Sequence, residues 1–209
     1  MTKIQLGYDY EKLKSSLRHW MLGRNYFTAC KAMDFGLFYH TGIRKDGLPE
    51  FSHQVFQANY ARTLSNVINP EGLLITIFCH DTVEDIAEVT QDDIRQRFGD
   101  ANSQSVWCMT NQYPDGTKKT KEMYYGEMAY DVNASLAKGI DRIHNHQSMS
   151  GAFTREKQLS YIGETREYIL PMLKTARKEF PEQEAAYQNI SHVLLTQMEL
   201  IGLMHTQTS

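Results

Sequence analysis

The chain is 209 residues long, 41% hydrophobic and 22% charged, with 22 Lys+Arg set against 25 Asp+Glu. That is the composition of an ordinary globular protein, and it excludes collagen-like, disordered and disulfide-scaffold classes. A formal net charge of -3 argues against a surface built for nucleic acid, which needs a basic excess, but leaves room for a small anionic ligand held by a local basic cluster.

In chain order the pattern is helical, with only 5 prolines and 13 glycines to interrupt it and few alternating runs. The start, MTKIQLGYDYEKLK, is polar and lacks the apolar region of a secretory leader. Leu13, Leu17, Trp20 and Met21 form a helical stripe over 10–22, and a second helix follows over 25–39. The turn-rich TGIRKDGLPE leads to a third helix, for which Ser52 is the expected N-cap. Asn69-Pro70-Glu71 opens a fourth, predicted to run over 70–86. Thr90 and Asp93 fit a capping box for a short helix closed by Gly99. A polar insert at 111–122 precedes three further helical stretches, 123–147, 154–179 and 182–205. The stretch around Leu73–Cys79 is far short of the ~20 residues that cross a membrane. Cys30, Cys79 and Cys108 are too scattered for a disulfide framework or a cysteine-based zinc site. One all-α, cytoplasmic domain spanning 1–209 is the expectation, with no nucleic-acid or membrane partner. The Leu194–Met204 stripe and ten methionines read as helix packing, within the chain or against another subunit in a homo-oligomer.

The fourth helix carries the chemistry. Leu73, Ile77, His80 and Glu84 lie along one stripe, and Leu74, Phe78, Asp81 and Asp85 along the next. Extending the apolar half of each stripe places His80, Asp81, Glu84 and Asp85 at a core-facing edge. Three carboxylates and an imidazole gathered there need a compensating cation, and a divalent metal supplies it. The other reading, a solvated acidic turn, sets acids against the negative end of the helix dipole. Further ligands must come from elsewhere. Asp141 and Asn145 sit one turn apart in another predicted helix, and His53 begins a third, giving an ordered H…HD…D series.

That series resembles the HD superfamily of metal-dependent phosphohydrolases. It is most similar to the guanosine tetra- and pentaphosphate hydrolase domain of the RelA/SpoT proteins and the small alarmone hydrolases. The likeness rests on Arg44-Lys-Asp-Gly47…His53, on HDTVED at 80–85, on Asp141-Arg-Ile-His-Asn145, and on Glu164, Thr165, Tyr168 and Pro171; it covers about 24–175. Phe51 replaces a Tyr usual in the family, and Lys138-Gly139-Ile140 stands where Lys-x-Ala is usual.

The resemblance implies an α-helical HD-domain bundle in which His53, His80, Asp81 and Asp141 hold one metal, usually manganese. It implies that Glu84 and Asp85 activate or position the attacking water, that Arg44 contacts the substrate or holds the site together, and that Asn145 binds the nucleoside. Lys118, Lys119 and Lys121 are candidates to contact polyphosphate, with a solvated loop as the other reading. His144 looks structural. The implied reaction is hydrolysis of the alarmone to GDP or GTP and pyrophosphate, by a stand-alone hydrolase, since the chain has no room for synthetase or regulatory domains. Two alternatives remain open: a phosphohydrolase for a dNMP, a cyclic nucleotide or the 2′-phosphate of NADPH, and a non-catalytic nucleotide-binding or neutralising protein.

Overall fold

The computed structural model describes residues 9–44, 47–113, 115–149 and 152–206. They form helices α1 (Tyr10–Gly23), α2 (Phe27–Tyr39), α3 (Ser52–Ala61), α4 (Pro70–Cys79), α5 (Thr82–Asp85), α6 (Gln91–Phe98), α7 (Asp100–Met109), α8 (Lys121–Ala129), α9 (Ala134–Ser148), α10 (Arg155–Glu164), α11 (Leu170–Glu179) and α12 (Glu184–Thr206). Among the described residues the extended backbone pairs only at isolated bridges, Ile43 with Pro49 and Gln112 with Lys118, so the all-α expectation holds. No helix among them is long and apolar enough to cross a membrane.

Local chemistry sets several helix starts. Asp9 caps α1 by accepting the Lys12 N–H, and Asn69 caps α4 by accepting that of Gly72, followed by Pro70. Gly72 is required there, because a Cβ would collide with the Asn69 side chain. Thr90 and Asp93 form the expected capping box, and Gly99, at φ 86°, ends α6. Ser52 does not cap α3. It lies buried inside the first turn, whose N–H groups at Ser52 and His53 are taken by the carbonyls of Pro49 and Glu50.

The helix expected over 70–86 is interrupted. α4 ends at Cys79, and Asp81 precedes the four-residue α5. Two side chains close the ladder: the His80 Nδ1–H donates to the Ile77 carbonyl at 2.9 Å, and the Thr82 hydroxyl donates to that of Cys79. The stretch 123–147 is broken as well, between α8 and α9, where Asp131 accepts the N–H groups of Asn133 and Ala134 at 3.0 and 2.7 Å. Over 154–179 the chain stays helical but passes through a π-helical turn, Thr165–Ile169, ahead of Pro171.

α4 is the central element. Every residue from Gly72 to Cys79 is buried, and α2, α3, α7 and α9 pack around it. Gly36 lets α2 approach, since a Cβ there would press into the Phe51 ring and lie 2.9 Å from the Phe78 carbonyl. α12 packs along α9 and α11. Leu194, Met198 and Ile201 of its stripe are buried, while Leu195, Leu200, Leu203 and Met204 are exposed. This packing brings the first turn of α3, the end of α4 and the middle of α9 together.

Candidate metal centre

His53 enters from the start of α3, His80 from the end of α4 and Asp141 from the middle of α9, and all three are buried. One ligand atom from each lies within 4.8 Å of the others. His53 Nε2 is 3.0 Å and His80 Nε2 is 4.0 Å from Asp141 Oδ1. Asp81 is half-buried and reaches the group through His80, with Oδ1 3.0 Å from Nε2. With Nδ1 committed to a backbone carbonyl, His80 presents Nε2 as a lone pair, and that buried atom has no hydrogen-bond partner. A buried, unpartnered imidazole nitrogen facing two carboxylates suits a divalent cation, so this residue set fits a metal.

Neighbouring side chains hold the group in place. Gln54 donates to Asp81 Oδ2 at 3.0 Å, Gln57 to Asp141 Oδ1 at 3.2 Å, and Asn145 to the same oxygen at 3.0 Å. Lys138 pairs with Asp141 Oδ2 at 3.2 Å and lies over the Tyr124 ring. Burial pushes the Asp141 carboxyl up, but Lys138 and the His53 and His80 imidazoles outweigh it and hold the group well below the usual carboxylate range. His53 Nδ1 is 2.7 Å from His144 Nδ1, and the His144 ring stacks on Phe56.

Glu84 and Asp85 correct the stripe reading. Both are exposed, because the break after Cys79 turns α5 outward and buries only Thr82. The Asn111 N–H, at the start of the insert, donates to Glu84 Oε1. Partial desolvation by the surrounding residues nonetheless raises the pKa of each, with the Asp81 charge adding to it in both. Arg44 sits in the loop before α3, where its charge reaches His144; Lys45 and Asp46 of the same motif lie outside the described residues.

The insert is a hairpin closed by the Gln112–Lys118 bridge. Lys119 is buried beneath it, bonded to the Trp107 carbonyl at 3.0 Å and to Glu127 at 2.6 Å, so this lysine is a packing element. Lys118 is exposed, and Lys121 pairs with Glu164 at 3.4 Å and covers the Tyr168 ring. Neither bonds to the ligand group among the described residues. Glu164 and Thr165 instead clamp another face of α9, Glu164 taking Arg142 at 2.9 Å and Thr165 meeting His146 Nε2 at 3.1 Å.

Sequence reasoning missed Gln54, Gln57 and the support role of Lys138. The spacing of Gln57 four residues after His53, and of Lys138 three before Asp141, is the signal that would have found two of them. The link from Asn111 to Glu84 has no such signal.

No family model matches the sequence, and no curated protein matches it. Among solved structures, the chain shares its fold with a metazoan ortholog of SpoT that hydrolyzes ppGpp and plays a role in starvation responses. The two are 17% identical, the match covers 81% of this chain and 95% of that one, and the TM-score is 0.62. At that identity the likeness is one of fold.

Proposed function

We propose that this chain is a metal-dependent phosphohydrolase that releases pyrophosphate from the 3′-diphosphate of guanosine tetra- or pentaphosphate, leaving GDP or GTP. The observation that carries the reading is the buried His53–His80–Asp141 group, with the bare His80 Nε2 turned into it. It sits on the fold of a protein that hydrolyzes ppGpp.

In this reading His53, His80, Asp81 and Asp141 hold one divalent ion, manganese by the family resemblance. Such an ion polarises a phosphoryl oxygen and lowers the pKa of water. Glu84 and Asp85, exposed beside Asp81, take the proton of the attacking water. Their raised pKa values bring them nearer the operating pH, which favours a general base. The Asn111 N–H fixes one Glu84 oxygen. Arg44 supplies positive charge for phosphate. Asn145 commits its amide nitrogen to Asp141, which leaves the amide oxygen for a nucleoside donor. Three free, buried cysteines fit a reducing, cytoplasmic setting, and we read 1–209 as one unit.

The lysines favour a second reading of the substrate. With Lys119 buried and Lys121 paired to Glu164, Lys118 alone of the three offers its charge to polyphosphate. That suits a smaller phosphate ester on the same centre: a dNMP, a cyclic nucleotide or the 2′-phosphate of NADPH. A nucleotide panel assayed separately for phosphate, for pyrophosphate and, with cyclic nucleotides, for the ring-opened monophosphate decides between them. Pyrophosphate from guanosine tetraphosphate supports the first reading. Phosphate from another nucleotide, or a monophosphate from a cyclic one, with the alarmone untouched, overturns it.

A further inference from the structure

The contact between His53 and His144 is not explained by ligation, because it lies on the side of the His53 ring away from Asp141. His53 Nδ1 and His144 Nδ1 are 2.7 Å apart, with the rings edge to face at 4.7 Å. A neutral imidazole has one N–H and one lone pair, so one of these nitrogens carries the shared hydrogen. If His144 donated it, His53 would keep its own hydrogen on Nε2. Yet Nε2 is the atom that the Gln57 amide nitrogen faces at 2.5 Å, and the one from which a metal shared with His80 and Asp141 would take a lone pair. An amide N–H aimed at a ring nitrogen needs a lone pair there.

From this we infer that His144 is the positioning residue of His53: its Nδ1 accepts the His53 Nδ1–H, fixing the tautomer that leaves His53 Nε2 bare toward the ligand group. Metal-binding histidines commonly give their second N–H to a carboxylate, a carbonyl or water; here a second imidazole takes that place. The Phe56 ring lies 5.4 Å away and nearly parallel to that of His144, an apolar contact separate from the nitrogen pair. His144 is one helical turn from Asp141 on α9, so a single helix supplies one ligand and the anchor of another.

The inference rests on the metal reading of the centre but not on the nucleotide. It is tested by Mn²⁺ affinity, measured from the electron paramagnetic resonance of unbound Mn²⁺. His144→Leu, which fills the site without an acceptor, weakens Mn²⁺ binding by about 10–100-fold while melting like the wild type. His144→Gln restores a carbonyl acceptor and binds close to wild type, as does Phe56→Leu, which keeps the nitrogen pair. Wild-type affinity in a folded His144→Leu overturns the inference, and so does equal weakening in Phe56→Leu. Should His144→Leu fail to fold, long-range ¹H–¹⁵N spectra of wild-type protein labelled at histidine decide it, because the inference requires Nδ1–H at His53 and Nε2–H at His144. The reverse tautomers contradict it. Wild-type protein that binds no Mn²⁺ removes the metal reading, while the same spectra still decide the tautomer pair.

Discussion

Among single residues, the proposed ligands and the proposed proton acceptors occupy different ground. Asp141 is buried within the ligand group and Asp81 touches His80, whereas Glu84 and Asp85 stand outside on α5. Asp141→Asn and Asp81→Asn should therefore lose metal together with turnover. Glu84→Gln should keep its metal and lose about 10²–10⁴ in rate, as expected when a general base is removed. Elemental analysis beside initial rates separates the two; metal loss in Glu84→Gln equal to that in Asp81→Asn would make Glu84 a ligand. A second residue-level effect concerns stability. Burial pulls the pKa of His146 from 6.5 to about 4, so between those values the unfolded chain binds more protons than the folded one. The stabilisation is complete above pH 6.5 and drains away as the pH falls toward 4. From pH 7 to pH 5 this group alone should cost about 2 kcal/mol. His146→Gln retains a partner for Thr165 and should flatten that part of the profile in urea unfolding. That His53, His80 and Asp141 gather was legible, because their order and types are specific. The supporting contacts of His144 and Gln54 were not, since each spans separate elements or the α4 break.

Helix starts were more legible than helix breaks. Asn69-Pro70 and the Thr90–Asp93 box announce themselves, because a cap is a local hydrogen bond. The interruptions after Cys79 and Ala129 depend on side chains that take up main-chain groups, His80 and Thr82 in one case and Asp131 in the other. Periodicity cannot register such events. The hairpin is the other unread element, and its base amide reaches Glu84. Asn111→Pro deletes that N–H but keeps the carbonyl that bonds Lys119, and Thr110, at φ -79° and ψ 120°, is already extended as a residue before proline requires. Turnover should drop severalfold with Mn²⁺ affinity unchanged; an unaltered kcat would remove the hairpin from the base's support. Gly139, at the free position of Lys-x-Ala, is set by packing, since a Cβ would lie 2.7 Å from Ile190 of α12 and 3.2 Å from Leu173 of α11. Gly139→Ala gains up to ~1 kcal/mol in helix propensity, but overpacking costs about 1–3 kcal/mol. A net loss in urea unfolding is expected, and a more stable variant would show that α12 yields easily.

Across the whole molecule, the fold is shared with a structure only 17% identical, while no family model matches the sequence. What the proposed chemistry needs of the fold is small, namely a buried α4 whose end brings His80 beside the His53–Asp141 pair. Composition and periodicity were enough to read the all-α class. The surroundings of the centre required the packing of α9 against α3, α4 and α12, which links residues too distant in sequence for helical spacing to connect. The central claim, that one divalent ion at this centre supports alarmone hydrolysis, is tested most directly by titrating metal-free protein with Mn²⁺. Bound metal and pyrophosphate release from guanosine tetraphosphate are measured in the same samples. Release should rise with occupancy and level off at one equivalent per chain, accompanied by equimolar GDP. Pyrophosphate release from protein with no bound metal, or a saturated site that leaves guanosine tetraphosphate intact, would contradict it.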